Sequence, residues 1–238
     1  MGVVFAEALL ESGANVGIAD IDPKLLSKAR SKFSKYDRQV AMLKLDITKP
    51  ESVQSCLRNF LEKFGRIDGL VNNAVLRAPV SDFLKRDLDD FKKTTDVNIN
   101  GVFLITQKTL EIMKKQRSGC VINIASIYGV VGPDQSIYPD DKINCPEYYC
   151  FQKGGLINFT RYLATTFGRY GVRANTITPG GIYAGQDKKF VENYSKKTPL
   201  GRMAKTGDIC GALIFLMSDA SSYVTGHNLI VDGGWTAL

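Results

Sequence analysis

The sequence predicts an α/β protein: a mostly parallel, doubly wound sheet with helices on both faces, in three layers. Three observations carry this. Short β-rich runs alternate with amphipathic segments along the whole chain, the pattern of parallel strands joined by right-handed crossovers. Helix-start signals, Asp22-Pro23 and Thr48-Lys49-Pro50-Glu51, follow strand runs directly. The 238 residues, 44% of them hydrophobic, show no repeat, low-complexity tract or linker, so a single domain over 1–238 is expected.

In chain order, Val16 to Asp20 reads as the first complete strand, and Asp22 caps the helix that Pro23 begins. Residues 40–45 form the next strand, and the capping box at Thr48 opens a helix running to about Phe64. Strands follow at 69–73 and 120–125, separated by a long helical pattern that includes Val102, Leu104, Ile105, Leu110 and Met113. A second long helix covers 148–170. A strand at 172–178, a helix near 208–218 and a last strand at 229–231 complete the order. Sheets of this kind bind ligands at the carboxyl ends of their strands.

Composition removes several function classes. The net charge is +7 with a pI of about 9.1, but the lysines spread over presumed helix faces, as at Lys24, Lys28, Lys114 and Lys115. No basic patch is interleaved with aromatics, so solvated faces are expected rather than a nucleic-acid surface. Cys56, Cys120, Cys145, Cys150 and Cys210 are scattered without a CxxC, and His227 is the one histidine. A zinc site is therefore not expected, nor any other metal site. A Ser-His-Asp hydrolase would need His227 as its base, and no nucleophile elbow lies near it. Free thiols suit a reducing cytoplasm. No apolar run is long enough to span a bilayer. The start has no basic n-region and meets Glu7 early, unlike a secretory signal, and Ala6 breaks the myristoylation pattern.

The most informative pair is Tyr149 and Lys153. Residues i and i+4 share one face of a helix. A phenol is a poor base near neutral pH, and a nearby ammonium favours its ionised form, which makes the pair a proton-transfer device. Tyr148 does not compete for this role, because its i+4 partner is Gln152.

Further motifs occur in order around this pair: Val71-Asn72-Asn73-Ala74, Val97-Asn98-Ile99-Asn100-Gly101, Asn123-Ile124-Ala125-Ser126, Thr178-Pro179-Gly180-Gly181-Ile182 and Val231-Asp232-Gly233-Gly234. Together they resemble the single-domain branch of the short-chain dehydrogenase/reductase family, and the resemblance covers essentially the whole chain. It implies a Rossmann-type, NAD(P)-binding domain that moves a hydride between a nicotinamide cofactor and a secondary alcohol or ketone. It implies that Tyr149 transfers the proton, Lys153 assists it and bonds the nicotinamide ribose, Ser126 holds the substrate oxygen, and Asn98 keeps a water in the relay. It also implies cofactor contacts from Gly2, Asp20, Asp46, Ile47, Asn73, Ala74, Tyr149, Lys153, Pro179, Gly180 and Ile182. A carboxylate at Asp20 would accept from the ribose 2′-hydroxyl and repel a 2′-phosphate, which favours NAD over NADP. Asp20 could instead cap the next helix, a role that Asp22 fills better, and Asp46 could be a plain turn residue.

The chain also departs from the family pattern. Gly2 aligns with the last glycine of the pyrophosphate loop, so the first strand and most of the Gly-rich loop are missing from the sequence as given. Exposed strand edges and weak NAD affinity are therefore expected. Val75 stands where a glycine is usual, and Ala184 where a Thr is common. The Ser126–Tyr149 interval carries an insert around 132–141. The insert resembles a bacterial sugar or surface-glycan subgroup of the flagellin-modification type, and is either a loop over a polyol or sugar substrate or a plain surface loop. A substrate lid is expected at about 182–200, with Tyr183, Phe190 and Tyr194 as apolar contacts. Apolar faces on helices 94–115 and 148–170 suit a homodimer or tetramer, or burial within one chain. The competing reading is a non-catalytic or weakly active family-derived scaffold.

Overall fold

The structure is a computed structural model that describes residues 1–79, 82–139 and 145–238. Asp140 and Asp141 of the expected insert lie outside the described residues. The elements run α1 (Gly2–Glu11), β1 (Val16–Asp20), α2 (Pro23–Lys32), β2 (Val40–Lys44), α3 (Pro50–Phe64), β3 (Gly69–Asn72), α4 (Leu88–Thr95), a π-helical turn (Asp96–Gly101), α5 (Val102–Gln116) and β4 (Gly119–Ile124). They continue with α6 (Glu147–Phe167), β5 (Val172–Pro179), α7 (Lys188–Lys197), α8 (Cys210–Met217) and β6 (Asn228–Val231).

All strand pairs are parallel, and they fall into two sheets, β1-β2 and β3-β4-β5-β6. Among the described residues no strand lies between β1 and β3, so the single doubly wound sheet is divided there. Strand alternation sorts the core into layers. Cys120, Ile122 and Ile124 of β4 pack with Ile209, Leu213 and Leu216 beside α8 on one face. Val121 packs with Leu110, Met113 and Leu163 of α5 and α6 on the other. Helices tie the two sheets together. On one side, α1 sends Phe5 into the large-sheet core and Ala6 and Leu10 into the small-sheet core. On the opposite side, Ile105 of α5 packs with Leu43 and Val53.

Two local expectations are corrected. The capping box at Thr48 does not form: Lys49 is the N-cap of α3 without a side-chain bond, because the Thr48 hydroxyl bonds Asp46 instead, at 2.7 Å. The long helix expected over 94–115 is broken by the π-helical turn at Asp96–Gly101, a feature that frequently marks functional sites.

A row of polar side chains crosses the large sheet near its carboxyl ends, where Asn72, Asn123 and Thr176 are register partners. Asn72 Nδ2 donates to Asn123 Oδ1 at 2.7 Å and to Thr106 Oγ1 at 2.9 Å. Asn123 Nδ2 donates to Thr160 Oγ1 at 2.8 Å, and Thr176 Oγ1 donates to the same oxygen at 2.8 Å. Fully satisfied, such a network fixes register and rigidifies the floor beneath the strand ends.

Candidate active site

β4 delivers Ser126, and α6 delivers Tyr149 and Lys153. Ser126 is buried, and its Oγ accepts from Tyr128 N–H at 3.3 Å, capping a short turn at Ile127–Gly129. That turn lies directly on α6: a Cβ at Gly129 would meet the Lys153 carbonyl carbon at 2.7 Å and Gly154 N at 2.9 Å. Glycine is what lets the Ser126 turn and the Lys153 turn of the helix touch. Lys153 Nζ donates to Ile124 O at 2.6 Å and sits 5.6 Å from the centre of the Tyr149 ring. Burial, and after it the charge of Arg77, pushes the Lys153 amine down to about 8. The turn that Ser126 caps thus lies against the stretch of α6 that carries Tyr149 and Lys153.

Asn98 sits in the π-helical turn, and its side-chain hydrogen bonds go to Leu76 and Gln152. Its Oδ1 accepts from Leu76 N–H at 2.7 Å, and its Nδ2 donates to Leu76 O at 2.9 Å and Gln152 Oε1 at 2.8 Å. Gln152 in turn donates to Thr94 Oγ1 at 3.2 Å and Thr95 Oγ1 at 3.3 Å. Tyr148, fully buried, accepts from Ala78 N–H at 2.8 Å and donates to Ala78 O at 3.2 Å. The second i,i+4 pair of α6, Tyr148 and Gln152, therefore serves the loop after β3. Within that loop the Arg77 guanidinium lies over the Tyr149 ring, at 5.6 Å from its centre. The sequence singles out no role for Arg77, and it sets Tyr148 and Gln152 aside as a proton-transfer pair although their i,i+4 spacing is a signal of a shared task.

The insert packs against the segment expected as a lid, through α7. Ile137 is fully buried in a cluster with Ile127, Tyr194 and Met203. Tyr138 packs on Phe190 with ring centres 5.2 Å apart, and Tyr194 stacks on Trp235 at 4.3 Å. Asp134 pairs with Lys197, which holds its carboxyl down at about 2. The described part of the insert is a docked segment against α7, while Tyr183 remains exposed.

The remaining predicted cofactor residues line the carboxyl ends of β1, β2, β3 and β5. Asp20 ends β1, half-buried, with Oδ1 accepting from Asp22 N–H at 2.9 Å; Asp22 itself caps α2. Asp46 accepts from Thr48 N–H and Oγ1, and the Thr48 hydroxyl bond holds its carboxyl below the usual range. Ile47 lies against Gly101. Gly180 follows Pro179 so close to Asp232 that a Cβ would meet its Cα at 2.8 Å, and Ile182 bridges to Ala204. Ala74 is exposed. Asn73 Oδ1 is buried without a hydrogen-bond partner, and its Nδ2 lies 3.3 Å from where a Cβ on Gly2 would stand. An unpartnered buried acceptor beside the α1 N-terminus, in a ring of strand ends, fits a polar dinucleotide.

Comparisons with known proteins agree with this geometry. A family model described as enoyl-(acyl carrier protein) reductase matches residues 1–236. Post-translational flagellin modification protein A from Campylobacter coli is 30% identical over 242 residues, covering 99% of this chain and 93% of that protein. A short-chain dehydrogenase from Leptospira borgpetersenii, solved with bound NAD+, is 35% identical with a TM-score of 0.82, covering 98% of this chain and 87% of that one. A gluconate 5-dehydrogenase from Burkholderia cenocepacia, solved with NADP and tartrate, is 29% identical with a TM-score of 0.87, covering 99% and 91%.

Proposed function

Because the chain belongs to the short-chain dehydrogenase/reductase family of oxidoreductases, we propose that it interconverts a secondary alcohol and a ketone with a nicotinamide cofactor. NAD is preferred over NADP, and the substrate is a polyol, sugar or cyclic alcohol. The observation that carries this reading is the joining of Ser126 to the Tyr149–Lys153 helix through the close contact at Gly129.

The bound cofactor supplies the hydride chemistry. Asp20 holds the adenosine ribose and disfavours a 2′-phosphate. Asp46 and Ile47 would contact the adenine, Gly2 would lie toward the pyrophosphate with Asn73 beside it, Ala74 would add a further cofactor contact, and Pro179, Gly180 and Ile182 would line the nicotinamide side. Tyr149 gives its hydroxyl proton to the substrate oxygen in reduction and takes it back in oxidation. Ser126 donates to the same oxygen as its charge changes. Lys153 resupplies the proton and binds the nicotinamide ribose together with Tyr149, and Asn98 holds the relay water. Exposed aromatics on α5 and α6, Phe103, Phe151 and Tyr162, support self-association into a dimer or tetramer, and the protein works in the cytoplasm on small molecules.

The division between β1 and β3 favours a second reading, a weakly active or non-catalytic scaffold. Turnover of a panel of cyclic alcohols and polyols, with NAD and NADP supplied separately, decides between them. Cofactor reduction that disappears in Tyr149→Phe supports the enzyme; no reduction with any panel member favours the scaffold.

A further inference from the structure

Arg77 is a cation beside the Tyr149 ring with no ion-pair partner among the described residues. Its side chain is exposed and lies over the Tyr149 ring at 5.6 Å. Among the described residues no carboxylate pairs with it. Glu147 is taken by Arg86 at 2.7 Å and Asp90 by Lys93 at 3.7 Å. The second cation of the site, buried Lys153, donates to a neutral carbonyl, Ile124 O. Two positive groups therefore flank the Tyr149 ring, and neither is paired with a carboxylate among the described residues.

The backbone around Arg77 is built to hold it there. Its predecessor, Leu76, is bonded at both N–H and C=O by Asn98, and its successor, Ala78, is bonded at both by Tyr148. Both clamping side chains are buried, Asn98 at 7% exposure and Tyr148 at 0%. Asn98 is secured in turn by Gln152. Four hydrogen bonds from two helices thus fix the residues on either side of a side chain that lies over the Tyr149 ring. Fixing a flexible loop costs conformational entropy, and a clamped loop delivers its guanidinium pre-organised for a ligand. The guanidinium keeps its charge, is weakly hydrated and presents a planar fork that matches a carboxylate through two parallel N–H···O bonds.

We propose that Arg77 binds a carboxylate on the substrate, so that the enzyme acts on hydroxy acids and the corresponding keto acids in preference to neutral alcohols. This inference rests on the oxidoreductase reading of the same site and narrows its substrate class. Arg77 grips the carboxylate while the carbon bearing the hydroxyl lies at Ser126 and Tyr149.

The test compares an acid with its neutral twin, 4-hydroxycyclohexanecarboxylate and its methyl ester, on the wild type, Arg77→Gln and Arg77→Lys. The expected result is a preference of the wild type for the acid. Arg77→Gln should lose about 10- to 100-fold in kcat/KM on the acid, the size of a lost charged hydrogen bond, with a much smaller loss on the ester and partial recovery in Arg77→Lys. Equal losses on acid and ester would mean that Arg77 acts through Tyr149 alone and would overturn the proposal, as would an undiminished rate on the acid. Calorimetric titration with tartrate reads the same site without turnover. Binding that weakens at least about tenfold in Arg77→Gln but persists in Tyr149→Phe supports the carboxylate site even if the oxidoreductase reading fails. Tartrate that binds wild type and Arg77→Gln equally, or neither, contradicts it.

Discussion

The substrate side of the cleft is held by buried side-chain hydrogen bonds, whereas the nucleotide side is held by helices packed across two separate sheets. On the substrate side, Asn72, Asn123, Thr160 and Thr176 form a continuous network under the strand ends, and Asn98 and Tyr148 clamp the loop above it. On the nucleotide side, β1 and β2 pair only with each other, and α1 links them to the rest through Phe5, Ala6 and Leu10. A hydrogen-bonded network tolerates little displacement, while apolar helix packing adapts by small shifts. Substitutions that disturb the hydrogen-bonded or tightly packed frame of the substrate side should therefore cost catalysis and stability together, and those at surface positions of the nucleotide side should cost little of either.

The largest expected effect is Tyr149→Phe, which should lower turnover by about 10²- to 10⁴-fold, the range of a lost general acid–base group, with an unchanged melting temperature. Next is Gly129→Ala. The added methyl would lie 2.7 Å from the Lys153 carbonyl carbon, so the Ser126 turn must lift from α6. A loss of about 1–3 kcal/mol in urea unfolding is expected from overpacking, accompanied by reduced kcat. An unchanged kcat would break the link between that contact and the chemistry.

A smaller, pH-dependent effect belongs to Lys153. Its amine is pushed down to about 8 from 10.5 by burial first and then by Arg77. Between those values the unfolded chain binds the proton that the native chain has released, so this group makes stability rise as pH climbs through the window and withholds that gain below about pH 8. Denaturation of the wild type and Lys153→Met across pH 7 to 10.5 isolates it: the rise should be present only in the wild type. The smallest effect is on the nucleotide side, at the exposed pair Lys32–Glu7. Glu7→Gln should change stability by less than about 1 kcal/mol, as surface pairs usually do; a larger loss would show that this half is less tolerant than its packing suggests.

Strand positions were legible in the sequence because apolar runs bounded by turn signals depend only on neighbours along the chain. Tyr149 and Lys153 were legible because helical spacing places them together, and Ser126 because it closes a strand run. The role of Arg77 was not, since it depends on Asn98 and Tyr148 reaching Leu76 and Ala78 across the fold, and no local period records such contacts. The π-helical turn escaped for a related reason: its residues read as an ordinary helix until Asn98 is seen bridging Leu76 and Gln152. The misassigned capping box has a local cause, the competition of Asp46 for the Thr48 hydroxyl. Likewise, the docking of the insert on α7 joins Ile137 and Tyr138 to Phe190 and Tyr194, residues far apart in sequence.

The central claim is that the substrate side carries the proton-transfer chemistry independently of how firmly the nucleotide side grips its ligand. Its most direct test is to measure, in wild type and Tyr149→Phe, both NAD affinity by calorimetry and turnover with NAD at saturation. NAD affinity should fall at most about tenfold in the variant, by the one ribose hydrogen bond that Tyr149 gives up, while turnover at saturation collapses. Equal turnover in the two proteins, or a loss explained wholly by weaker NAD binding, would contradict it.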